Sequence, residues 1–213
     1  MIFDMDGLMF DTERVAGAGM IAALRAQGFE ADEATLEKLL GIDYEGTKRA
    51  LTECYGEGLD FGAAIAGMEK HIDDCIAHFG TPVKPGLFEL LARLDEMGLP
   101  RAIASSSPRE RILSNLKGAG LSGRFDAIVC GGDVAHGKPA PDIFLAAAKA
   151  LGIAPESCMA LEDSASGVEA AKRAGMKTVM VPDLHAPDDK DRAGLYALAH
   201  SLFDAIPLLG QES

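Results

Sequence analysis

The chain has little that would hold it in a membrane or lock it with covalent bridges. No apolar run approaches the roughly 18 residues that cross a bilayer. The N-terminus lacks the ordered basic, apolar and small-residue zones of a signal peptide. Only four cysteines occur in 213 residues, Cys54, Cys75, Cys130 and Cys158, and no two form a CxxC pair. Their scatter argues against a disulfide scaffold or a structural zinc site, and reads as reduced core thiols in a cytoplasmic protein. Positive charge is scarce too. Lys and Arg number 20 against 33 Asp and Glu, a formal net charge of -13. That balance argues against nucleic acid or an anionic membrane surface as partner. An anionic substrate would need local positive groups to offset the field.

What is present describes an ordinary soluble globular protein, 48 % hydrophobic and 25 % charged. The length suffices for one good-sized core, or a core with a smaller partner. The second half alternates between two periodicities. "LFELLARLDEMG" places Leu87, Leu90, Leu91 and Leu94 on one helical face, stopped by Gly98. "RAIA" is a short buried strand. "SSSPRERILSNLKGAG" restarts a helix, with Ser107 as predicted N-cap, Pro108 in the first turn and Glu110 closing a capping box. "DAIVC", "SCMALED" and "KTVMVP" read as strands; "KPAPDIFLAAAKALG", "SGVEAAKRAG" and "SLFDAIPLL" read as helices. "PDDKDRAG" reads as a solvated acidic loop.

This alternation predicts an α/β fold, a doubly wound parallel sheet with helices on both faces, to which "MIF" adds one very short strand. Residues 14–82 contain no convincing strand. Helical patterns run roughly 13–27, 32–40, 44–55 and 60–79, divided by Gly28, Gly41 and Gly56. They predict a helical bundle inserted after the first strand, with "TPVKPG" as the return linker. The expected division is therefore a core of 1–13 plus 83–213 and an inserted domain of 14–82.

Ligands of such sheets collect at the carboxyl ends of the strands. Asp4, Asp6, Ser105, Ser106, Glu162 and Asp163 fall there, with Lys138 in a nearby loop. Hard oxygen donors with one lysine and no histidine or cysteine suit Mg²⁺. A hydroxyl and a lysine beside such a site suit phosphate. A carboxylate can attack phosphorus, and a second carboxylic acid can protonate the leaving oxygen and then activate water. The inventory suggests phosphoryl transfer through a phosphoaspartate.

Four segments carry a family resemblance. "FDMDGLMFDTE", "AIASSS", "GKPAPDIF" and "LEDSASGVEAA" resemble, in order, the four motifs of the haloacid dehalogenase superfamily. The resemblance implies a Rossmann-like core with an inserted helical cap, and a hydrolase of phosphomonoesters (EC 3.1.3). It implies Asp4 as nucleophile and Mg²⁺ ligand, and Asp6 as general acid/base with its backbone carbonyl on the metal. Ser105 and the amide of Ser106 would hold the transferring phosphoryl group. Lys138 would pair with Asp4 and the phosphate. Asp163 would complete the metal site, with Glu162 as a further ligand or as an orienting group. Gly7 would allow the turn after the strand, braced by Asp11 and Thr12.

Departures matter as well. Dehalogenases proper lack the second aspartate, and the superfamily's phosphonatases carry alanine there, so Asp6 favours phosphate esters. The subfamily's β-phosphoglucomutase has a lysine and an arginine in a cap loop. Here that loop is "LLGIDYEG", with Leu40 and Tyr44 at those positions and Lys48 and Arg49 close by, which weakens a mutase reading. Other rivals are a phosphoaspartate switch of the receiver type and a non-catalytic phospho-ligand binder. The partner implied is a small phosphorylated metabolite, to a monomer or homodimer. Arg14, Asp43 and Tyr44 are candidate substrate contacts from the cap. The five histidines show no ligand spacing. "GAGMIA" from Gly17 matches a dinucleotide fingerprint in letters only, because it lies inside a helical stretch with no strand before it.

Overall fold

A computed structural model describes residues 1–39, 44–184 and 186–210. In chain order, the strands are β1 (Ile2–Phe3), β2 (Ala102–Ser105), β3 (Ala127–Cys130), β4 (Met159–Glu162), β5 (Lys177–Met180) and β6 (Ala197–Leu198). The helices are α1 (Thr12–Ala26), α2 (Glu33–Glu37), α3 (Tyr44–Tyr55), α4 (Phe61–Phe79), α5 (Leu87–Glu96), α6 (Arg109–Gly118), α7 (Asp142–Leu151), α8 (Ala165–Arg173) and α9 (Asp189–Arg192). The chain forms two compact units. One comprises Met1–Asp11 with Pro82–Ser213, the other Thr12–Thr81. No helix among the described residues is long and apolar enough to cross a membrane.

The first unit is a six-stranded, all-parallel sheet in the order β3-β2-β1-β4-β5-β6. Side chains alternate along each strand, so each strand feeds two faces. Phe3, Ile103, Leu161 and Val179 join Leu87, Leu90, Leu91 and Leu94 of α5 and Ile112 and Leu116 of α6 in one apolar cluster. Their neighbours Ile2, Ala102, Ala104 and Ala160 face the other way, against Ile143, Phe144, Ala147 and Ala148 of α7 and Ala170 and Ala171 of α8. The first face is filled mainly by large side chains from the sheet. On the second, alanines in the strands let α7 and α8 lie close. Burial on both sides is why these strands are short unbroken apolar runs, as parallel strands require.

The sheet reverses winding direction between β1 and β4, where the carboxyl ends open a crevice. β1 has two residues, but its ladder extends beyond them. The Asp4 amide donates to Leu161 O (3.0 Å), and the Ala102 amide donates to Met1 O (2.9 Å). After β1 the chain turns sharply, with the Met9 and Phe10 amides both donating to Met5 O (2.9 and 3.1 Å). At the return point the Asp11 amide donates to Pro82 O, and the Lys84 amide to Met9 O, both at 2.9 Å.

Two expectations are corrected, and one strand is new. "SLFDAIPLL" forms a 3-10 helix over Leu202–Leu208 rather than an α-helix, in keeping with Pro207 inside it. "PDDKDRAG" is no open loop. Asp188 accepts from the Asp191 amide and caps the short α9, and Asp191 is buried. The two-residue strand β6 carries no periodicity signal, and only pairing with β5 defines it.

The second unit is helical. Met20, Leu24, Ala31, Leu51, Phe61 and Ala64 form its core. The helical pattern from residue 32 ends early, with α2 closing at Glu37; Leu40, Gly41 and Asp43 lie outside the described residues, as does His185. Gly17 and Gly19 fall inside α1, where they serve packing: a Cβ on Gly19 would come within 2.9 Å of His71 Cβ on α4. Of the cysteines, all four are free, and Cys54 is exposed rather than in a core.

The two-faced sheet makes a direct prediction. Leu161→Ala removes a fully buried side chain from the centre of the larger cluster and is expected to cost about 2–5 kcal/mol. Urea unfolding followed by circular dichroism measures it.

Candidate active site

Three strand ends and one loop converge at the crevice. Asp4 follows β1, Ser105 ends β2, Glu162 ends β4 and Asp163 follows it. All four are buried, a costly arrangement for carboxylates unless something offsets their charge. Lys138 provides part of the offset. Its Nζ donates to Asp4 Oδ1 (2.5 Å), to Glu162 Oε1 (2.6 Å) and to Ala104 O (3.1 Å), which uses all three ammonium protons. The same Nζ lies 5.1 Å from the centroid of the Phe144 ring. A loop residue is thus held to the ends of three strands from a position 134 residues beyond the first of its partners.

Glu162 is fully buried and saturated with donors. Besides Lys138 on Oε1, its Oε2 accepts from the Asp163 amide, the Ser164 amide and the Ser164 hydroxyl, each at 3.0 Å. That pattern fixes both its carboxylate and the chain that carries Asp163, the behaviour of an orienting group. Ser164 also accepts from the Gly167 amide and so caps α8. Asp4, Glu162 and Asp163 each offer a carboxylate oxygen within 4.8 Å of the others, a grouping suited to holding a metal ion.

Two glycines make room for this cluster. Gly7 has φ +84, a conformation that side chains resist, and a Cβ there would meet Asp163 Oδ2 at 2.1 Å. A Cβ on Gly167 would fall 1.7 Å from Glu162 Oε1. The requirement at Gly7 is legible from its place in a tight turn. That at Gly167 is not, because it depends on contact with a residue on the preceding strand.

The electrostatics follow from burial. For Asp4, loss of water pushes the carboxyl pKa up to about 8, with Lys138 pulling it down and Glu162 and Asp6 pushing it further up. For Lys138, burial alone would lower the pKa. The Asp4 and Glu162 carboxylates reverse this and hold it above the ordinary lysine range. Ionised, three buried carboxylates and one ammonium sum to a charge of -2. One lysine does not match that charge, so the Asp4 carboxyl holds its proton more tightly than an ordinary carboxylate. A divalent cation would supply the matching charge and release the proton.

Asp6 is half-buried beside this cluster, and Ser106 is exposed in the loop after β2. Ser107, predicted as the cap of α6, is not one. Pro108 occupies the N-cap position, and no side chain caps the helix. The Ser107 hydroxyl instead donates to Asp6 Oδ2 at 2.7 Å, and its amide donates to Ser105 Oγ at 3.1 Å. Neither bond is visible in local spacing, since Asp6 and Ser107 are 101 residues apart. Arg14 and Tyr44 belong to the helical unit, where Tyr44 packs edge-on against Phe61 at 5.2 Å between centroids.

A family profile described as haloacid dehalogenase-like hydrolase matches residues 1–181. The chain belongs to that family. The plasmid-encoded protein CbbY of Cupriavidus necator is 33 % identical over 225 residues, 98 % of this chain and 87 % of the relative. A protein of Thermotoga maritima named phosphorylated carbohydrates phosphatase is 30 % identical over 213 residues, covering 98 % and 89 %. Among solved structures, CbbY of Rhodobacter sphaeroides in complex with phosphate superposes with a TM-score of 0.79 at 25 % identity, over 96 % of this chain and 94 % of that one. The family's printed description makes the chain a haloacid dehalogenase-like hydrolase.

Two outcomes are expected from this geometry. Gly167→Ala should lower the melting temperature and displace Glu162, seen as an altered carboxylate position in a crystal structure of the variant. Asp4 has a pKa near 4 when unfolded and about 8 when folded, so the folded state binds more protons between those values. The stability of the metal-free protein therefore falls as pH rises through that window. Asp4→Asn should remove the loss, giving a variant with a higher melting temperature than the parent in EDTA at pH about 8 and a smaller advantage at pH about 5. Thermal melts across that range check it.

Proposed function

We propose that the protein is a Mg²⁺-dependent phosphatase of a small phosphorylated metabolite, working through an aspartyl phosphate on Asp4. The observation that carries the reading is the Lys138 ammonium held between Asp4 and Glu162 beside a buried cluster with excess negative charge. Phosphorylated carbohydrates are the first substrate class to examine, given the name of the Thermotoga maritima relative.

In the first step an Asp4 carboxylate oxygen attacks phosphorus and the ester P–O bond breaks. Asp6 gives its proton to the departing alcohol oxygen. In the second step Asp6 takes a proton from water, the water oxygen attacks phosphorus, and the bond to Asp4 breaks, releasing inorganic phosphate. Ser105, through its hydroxyl, and Ser106, through its amide, orient the phosphoryl oxygens. Lys138 neutralises charge on Asp4 and on the phosphoryl group.

The donor set fits a hard dication: all-oxygen, buried and of matching charge. Asp4, Asp163 and the backbone carbonyl of Asp6 would hold Mg²⁺, and Glu162 would keep Asp163 and Lys138 in place. When bound, the ion supplies positive charge that favours the approach of an anionic phosphate to a carboxylate. The sheet order speaks against a receiver-type switch, whose doubly wound sheet runs 2-1-3-4-5.

The test is hydrolysis of p-nitrophenyl phosphate with Mg²⁺. The parent should release phosphate, lose activity in EDTA and regain it with Mg²⁺. Asp4→Asn should lower kcat by more than about a thousandfold, since the nucleophile itself is removed. Turnover retained by that variant would overturn the mechanism. A screen of phosphorylated metabolites, with sugar phosphates first, would then identify the substrate.

A further inference from the structure

We infer that Ser107 is a positioning residue for the general acid, an inference that rests on the phosphatase reading above. Its hydroxyl donates to Asp6 Oδ2 at 2.7 Å, and its amide donates to Ser105 Oγ at 3.1 Å. One residue thus ties the hydroxyl assigned to the phosphoryl group to the carboxyl assigned to the leaving oxygen. The hydroxyl is not engaged in helix capping, because α6 begins after Pro108 with no side-chain cap. A capping bond open to a serine before a helix has been given up for a contact across the crevice.

The arrangement has a chemical consequence. An aspartate side chain can rotate and can carry its proton on either oxygen. With Oδ2 accepting from Ser107, the transferable proton belongs on Oδ1, and rotation of the carboxyl group is restrained. In the first step the O–H bond at Oδ1 breaks as the proton moves to the ester oxygen, whose bond to phosphorus breaks at the same time. The next residue fixes the serine. Pro108, at φ -59, biases Ser107 towards extended backbone, so the hydroxyl is held without a long flexible chain. Positioning of this kind matters most when the leaving group is poor. An activated phenol departs without help, whereas a basic alkoxide or phenoxide needs its proton delivered in the transition state.

The experiment uses the full chain with Mg²⁺ and a series of aryl phosphates of rising leaving-group pKa, from p-nitrophenyl through phenyl to methylphenyl. For Ser107→Ala, kcat/KM should fall by about tenfold or more on the least activated ester, and by less than about threefold on p-nitrophenyl phosphate. The plot of log kcat/KM against leaving-group pKa thus becomes steeper. Ser107→Thr, which keeps the hydroxyl, should restore the parent slope. The melting temperature and the Mg²⁺ affinity by calorimetry should match the parent. A uniform loss on every ester, or an unchanged slope, would overturn the role. A parent active across the series with an unaltered Ser107→Ala slope refutes this inference alone, whereas a parent inactive on all of them refutes the phosphatase reading and this inference with it.

Discussion

The Lys138 ammonium is the contact on which the rest of the site depends. It lies between two buried carboxylates and against the carbonyl of Ala104, so it binds together the ends of β1, β2 and β4. Removing it would leave two buried carboxylates without the cation they share, among the costliest changes a fold can suffer. Even with it in place, the charge does not close. Asp4 responds with a raised pKa, and the cluster retains a demand for positive charge that a divalent cation would meet.

The sheet makes that burial tolerable. A parallel order with its winding reversal at β1 and β4 brings the ends of neighbouring strands together, and backbone amides there are available to carboxylates. Glu162 shows the effect: two amides and a hydroxyl converge on one oxygen while the lysine holds the other. Glycines at 7 and 167 complete the arrangement by omission, since a methyl group at either position would overlap an acid. The apolar clusters on the two faces hold the strands in register, and through them the distance between Asp4 and Asp163.

A chain of such low net basicity binds an anion only where cation and proton donors are concentrated. In the crevice Lys138 is the cation, with serine hydroxyls and backbone amides beside it. Family membership agrees with this chemistry: the chain matches the hydrolase profile over 181 residues, and a relative of nearly full coverage is named a phosphatase.

The amino-acid sequence by itself determined the α/β class, the helical periodicity of the segments that form α1, α3 and α4, and the residue types gathered at the strand ends. It did so because periodicity and turn chemistry are local: Leu87, Leu90, Leu91 and Leu94 mark a helical face whatever surrounds them, and Asp-Gly after an apolar stub marks a turn. Contacts between distant residues were decided only by the tertiary structure. Ser107 read as a cap because a serine before proline and a helix is a good local candidate, yet its hydroxyl faces Asp6 from the neighbouring strand end. The bury-or-expose decision at Asp191, the pairing that defines β6, and the space that Gly167 leaves for Glu162 are of the same kind. "MIFDMDG" alone shows crowded carboxylates. What it cannot contain is the lysine that pairs with Asp4, because that partner arrives only when β1, β2 and β4 have come side by side.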